Sequence, residues 1–146
     1  MSEVEVAQAK FDRDSQELAT FVEDTLKGRN YKLTRSDNRT VVLLFNGRKY
    51  EIRVVVFCGG SYLTFQAGLP VLLPAERLPA ALQRFNKRTR SMPVGGFEVE
   101  PDGGKVWVKI GIPVPPLPTA ELLVTLLTLV VSSIDDATDE IDQIVS

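Results

Sequence analysis

Few side chains in this sequence could carry acid–base, covalent or metal chemistry. It contains no histidine and one cysteine, Cys58. Without imidazole, His-based general acid–base catalysis, the Ser-His-Asp triad and His zinc sites are excluded. A lone thiol can form neither a multi-Cys zinc site nor an internal disulfide. Cys58 precedes Gly59-Gly60 with no histidine to activate it, so it reads as a buried or strand-end thiol and not a nucleophile. Gly95-Gly96 and Gly103-Gly104 lack the strand–glycine–helix context and the following Lys-Ser/Thr of a phosphate loop, and read as turns. Asp135, Asp136, Asp139, Glu140 and Asp142 lack the glycine and regular oxygen spacing of a calcium loop and read as a solvated helix face. The expectation is no catalytic residue, no cofactor and no metal.

What remains is charge and apolar surface. The net charge of -2 conceals a segregation: residues 1–26 carry -5, residues 27–110 carry +9 and residues 111–146 carry -6. Either acidic terminal helices lie against a basic middle, or the middle offers a positive surface to an acidic partner. Arg77, Arg84 and Arg88 fall at spacings of seven and four, on one side of a helix whose buried face is marked by Leu78, Ala81, Leu82 and Phe85. An arginine stripe bordering an apolar face suits a protein contact, because guanidinium joins charge and planar hydrogen bonding to an apolar stem. The run Arg84–Arg90 could touch phosphates, but no exposed aromatics interleave with it and the pI is about 5.2, so no nucleic-acid partner is expected.

These residues must be placed by an alternation of helices and strands. A first helix carries Leu18, Phe21, Val22 and Leu26. It is capped at Asp14 or Ser15, or three turns earlier, where Ser2 and Glu5 have capping-box spacing, and it stops at Gly28. From Tyr31 the period becomes two. Four antiparallel strands are expected near residues 31–36, 40–45, 48–57 and 61–67, with Asn46-Gly47 as a type I′ turn and Pro70 and Pro74 closing the segment. The second helix reaches about Thr89. A hairpin follows, with Phe97 and Val99 on one arm and Val106, Val108 and Ile110 on the other. Trp107 points away from that row, as a contact residue or under a helix. The prolines at 113, 115, 116 and 118 make a stiff connector to a last helix, capped by Thr119 and able to run to the end of the chain.

The last helix is apolar over roughly 220° of its circumference by the 100° rule, far beyond a surface helix's stripe. Its apolar run, interrupted by Thr125 and Thr128, is too short to insert in a membrane. A second protein surface is expected there, giving a homodimer through Val124, Leu129 and Val131. The fold class is α+β, an antiparallel sheet of five to six strands with helices at the N-terminus, middle and C-terminus, in one domain over residues 1–146. The acidic Met1-Ser2-Glu3 start is unlike a signal peptide, and the expected compartment is the cytoplasm.

Leu82-Gln-Arg-Phe-Asn86-Lys-Arg, then Gly95-Gly96-Phe97-Glu-Val99, then Val106-Trp-Val-Lys-Ile110 and the Ile112-Pro113 exit resemble the YbjN family over about residues 15–134. That resemblance implies a bacterial sensory-transduction regulator with a fold similar to type III secretion chaperones, which are small, acidic, usually dimeric and bind an extended partner segment. The sequence departs from those chaperones in its four-strand meander and long aliphatic last helix. Asn86 matches the family position, and near a helix end it would bond freed backbone groups. The leading reading is a non-enzymatic module binding a protein partner through Arg77, Arg84, Arg88 and Trp107. The alternative is a small-ligand protein or enzyme with a polar pocket between sheet and helices.

Overall fold

The computed structural model describes residues 2–146. Helix α1 spans Glu3–Gly28, and the earlier of the two possible starts is the one used: the Ser2 hydroxyl accepts from the Glu5 N–H at 3.1 Å. Its second half buries Leu18, Ala19, Val22 and Leu26, whereas residues 3–13 are all exposed. The helix ends with Asn30 at φ 68 and the Tyr31 N–H returning to the Leu26 carbonyl.

Six strands follow the alternating pattern: β1 Thr34–Asp37, β2 Thr40–Asn46, β3 Glu51–Cys58, β4 Tyr62–Leu72, β5 Gly96–Val99 and β6 Lys105–Pro113. They form one antiparallel sheet in the order β1-β2-β3-β4-β6-β5. After β4 come a short 3-10 turn, Ala75–Arg77, and helix α2, Leu78–Ser91; after β6 come α3, Ala120–Asp136, and α4, Thr138–Val145. The fold is α+β, with helices at the N-terminus, middle and C-terminus as the periodicity implies.

Four local expectations are corrected. Asn46-Gly47 is not a two-residue type I′ turn. The Gly47–Tyr50 loop is wider because Arg48, Lys49 and Tyr50 reach across to Asp135 and Asp142, and a Cβ on Gly47 would lie 2.7 Å from an Asp135 carboxylate oxygen. Pro70 does not close β4. It is exposed and sits where the β4–β6 register is broken between Gly68 and Leu72, so its missing N–H interrupts no ladder bond. The last helix does not run through to the end. It breaks at Ala137, and the carbonyls at the end of α3 are taken by arginines: Arg48 donates to the Asp135 carbonyl at 2.7 Å and Arg88 to that of Asp136 at 3.5 Å. The proline connector, expected to be extended, bends at Pro115 and Pro116, and the peptide bonds preceding both are cis.

All helices pack on one face of the sheet. Val41, Leu43, Ile52, Val54, Val56, Phe65 and Val108 from the strands meet Leu18, Val22, Phe85, Leu123, Leu127, Ile134 and Ile141 in a single core. A side chain the size of Phe85, buried there, contributes about 2–3 kcal/mol. The other face has no helix over it. Leu44, Phe57 and Tyr62 are exposed on it, and Val55 and Trp107, though buried, lie outside the core cluster.

Candidate docking groove

Helix α2 forms because Pro79 is tolerated in its first turn and Leu78, Ala81 and Phe85 fall on one face. That face packs on β5, where Phe85 stacks on Phe97 at 5.2 Å, and the Thr89 hydroxyl accepts the Phe97 N–H at 2.9 Å. Asn86, expected to bond backbone groups freed at the helix end, is exposed five residues before that end, and the bond that ties α2 to β5 comes from Thr89. On the other side α2 faces the end of α3 and the acidic helix α4.

Between them runs an open groove of about 620 Å³. Its α2 wall is Arg84, Lys87, Arg88 and Ser91, its floor holds Met92 and Phe97, and its opposite wall is Ser133, Asp136 and Glu140. Arg88 is committed internally: its guanidinium is hydrogen-bonded and ion-paired to Glu140, reaches the Asp136 carbonyl and lies 5.9 Å from the Phe97 ring centre. Among the described residues, Arg84, Lys87 and Arg77 form no ion pair. The groove therefore has a cationic α2 rim, an apolar floor and one internally neutralised arginine.

Ser133 also belongs to a second, shallower depression of about 370 Å³ along the outside of α3, lined by Val124, Thr125, Thr128, Leu129 and Ser132. This outer strip of α3 bears no charge between Leu122 and Ile134. Much of the wide apolar arc read from the sequence is covered within the chain, since Leu123, Leu126, Leu127 and Val130 are buried and α3 touches β3, β4, β6 and α1. Val124, Leu129 and Val131 are left half-buried at its margins.

The structure thus brings Arg84 and Arg88 to one groove and keeps Arg77 and Trp107, the other two residues expected to contact a partner, apart from it. Arg77 stands just before α2, without a side-chain capping bond, outside the groove. Trp107 lies on the helix-free face, held by its own chain: its indole N–H donates to Glu100 at 2.6 Å and the Lys105 ammonium sits 4.3 Å above the ring. Lys87, Met92 and Phe97 join the groove only in the folded chain. The three-residue step from Arg84 to Lys87 was a readable signal, but the acidic wall was not, because it exists only once α4 turns back.

Part of the segregated charge is used internally. Arg29 pairs with Glu121, Arg35 with Glu23, Arg48 with Asp135 and Asp139, and Lys49 with Asp142. The C-terminal acids, read as a solvated face, are in large part ion-pair partners. Cys58 is buried at the end of β3, and burial pushes its thiol up to about 12, with Arg35 opposing weakly. The space between sheet and helices is packed with apolar side chains; among the described residues the buried polar side chains are Ser15, Thr40 and Thr138. No described helix is long and apolar enough to cross a membrane.

Residues 19–143 match the profile of the YbjN family, described as "Putative bacterial sensory transduction regulator". The chain belongs to the YbjN family. The crystal structure of YbjN from E. coli superimposes with a TM-score of 0.62 at 10% sequence identity, covering 83% of this chain and 91% of that one. At that identity the likeness is one of fold. A search of curated proteins finds no match. In this YbjN-family chain the matched span takes in the whole sheet, α2 and α3, and nearly all of α4, so the groove lies wholly within it.

Proposed function

We propose that this chain is a non-enzymatic regulatory or chaperone-like module that acts by holding a protein segment in the α2–α4 groove. The observation that carries this reading is the pairing of Arg84 and Lys87, free of carboxylates, with an apolar floor of Met92 and Phe97 that opens at Ser133 onto the uncharged α3 strip. An acidic segment with an apolar stretch fits: its acids meet the α2 rim and its apolar side chains follow the floor toward Val124 and Leu129. Arg77, at the start of the same helix, extends the cationic line to a longer segment. Trp107 lies outside this reading.

The test is affinity capture from a native lysate with wild type, Arg84→Glu/Lys87→Glu and Val124→Glu/Leu129→Glu in parallel. A protein retained by wild type, lost from the first variant and eluted by salt supports the groove. Equal retention by wild type and the first variant, with both folded by circular dichroism, refutes it.

A further inference from the structure

The exposed first half of α1 is unexplained by the groove. Residues 3–13 form eleven residues of helix, about 16 Å at 1.5 Å per residue, with every side chain exposed. The arm precedes the family match, which begins at residue 19. It is not polar all round. Val4, Ala7 and Phe11 follow one another at spacings of three and four and continue, seven residues on, into the buried Leu18. The stripe that seats α1 on the sheet therefore runs on past the domain. Phe11 is its last seat on the domain, beside Gly60 and Arg39, and beyond it Val4 is 78% exposed.

The charges beside the stripe select the occupant. With Val4 and Phe11 in the first core position of a heptad and Ala7 in the second, Glu3 and Lys10 occupy the same flanking position one heptad apart. When two such arms cross antiparallel between Val4 and Ala7, that flank faces its own copy, and residue 3 of one arm comes beside residue 10 of the other. This gives two reciprocal Glu3–Lys10 pairs, while Val4 of each arm packs on the small Ala7 of its partner. A parallel pairing would set Glu3 against Gln8 and Lys10 against Ser15, with no charge pair. We infer that the arm is a self-association element, and that its occupant is the arm of a second copy, antiparallel and two-fold related. Two arms of this length bury less than the roughly 1,200 Å² of a standard interface, so the dimer is weak and concentration-dependent. This inference is independent of the groove, which lies on α2, α3 and α4.

A charge-swap cycle read by sedimentation equilibrium tests it, over roughly 10–500 µM full-length chain, the range in which a micromolar association is resolved. Wild type should show reversible monomer–dimer equilibrium. Glu3→Lys and Lys10→Glu should each raise the dissociation constant about tenfold or more, because each sets like charges face to face twice, and the combined variant should return to within about threefold of wild type. Val4→Asp should abolish the dimer with circular dichroism and melting temperature unchanged, since Val4 touches no core. A wild type that stays monomeric would overturn the inference and leave the stripe to a different protein. So would a combined variant as weak as the single ones, or a dimer that survives Val4→Asp but is lost in Val124→Glu/Leu129→Glu, which would move the interface to α3.

Discussion

The indole of Trp107 on β6 lies against Gly68 on β4, so closely that a Cβ placed on Gly68 would stand 2.6 Å from its Cε3 atom. Gly68 is thus the seat on which the tryptophan lies flat on the open face of the sheet. Gly68→Ala should push the ring outward, weaken its bond to Glu100 and cost about 1–3 kcal/mol. Trp107 is the only tryptophan, so a red shift of its emission together with a lower urea midpoint would confirm the effect. Unchanged emission would show that the ring does not depend on this seat.

Gly104 should tolerate no side chain. It has φ +70, and a Cβ there would fall 2.1 Å from the Leu73 carbonyl oxygen, a backbone atom of the neighbouring strand end that cannot swing away. Gly104→Ala should therefore cost more than the about 1–2 kcal/mol of left-handed backbone alone, measured by urea denaturation. A stability equal to wild type would contradict this geometry.

Asp142 should contribute to the pH dependence at both ends. Hydrogen bonds from Lys49 and then Tyr50 hold its carboxyl below the ordinary 3.8, while Asp142 in turn raises Lys49 and Tyr50 above their ordinary values. The folded state therefore binds fewer protons at Asp142 than the unfolded chain does. That stabilisation is whole above the unfolded value and is lost as pH falls through the lower folded one. For Lys49 and Tyr50 the stabilisation is whole below their unfolded values and is lost as pH rises through the raised folded ones. Asp142→Asn should flatten both the acid and the alkaline limbs of a plot of melting temperature against pH.

Cys58 should be chemically silent in the native protein. Burial pushes its thiol up to about 12, so at about pH 8 almost none is thiolate. Ellman's reagent should react with one equivalent per chain in denaturant and with essentially none without it. Cys58→Ala should retain whatever the groove captures.

Arg84 and Arg88 should part company. Arg88→Glu removes the tie to Glu140 and faces two acids, Glu140 and Asp136, so it should lower the melting temperature. Arg84→Glu breaks no ion pair and should leave the melting temperature within a degree or two, since isolated surface charges change stability little. Equal losses in both would mean that Arg84 has a structural partner in solution.

The sequence was sufficient for whatever repeats at a fixed period or depends on a missing residue type. The alternation around Val54 and Val56, the helical spacing of Leu18, Val22 and Leu26, the Thr119 cap and the outward turn of Trp107 are local properties of backbone geometry, and they appear in the structure where the pattern places them. The absence of histidine excluded whole classes of chemistry before any fold was known. Tertiary structure decided everything that depends on which segments meet. It widened the Asn46-Gly47 turn, because Arg48 and Lys49 are drawn to acids 87 and 93 residues away. It broke the last helix at Ala137, where no glycine or proline marks a stop, and so folded Glu140 back onto Arg88. The groove itself is a consequence of that break. Its two walls come from α2 on one side and from the end of α3 with α4 on the other, and no periodicity within either wall encodes their distance. Charge pairing and packing between remote segments are cooperative properties of the folded chain, which is why the basic stripe was legible as a pattern while the division between its internal arginine and its free cations was not.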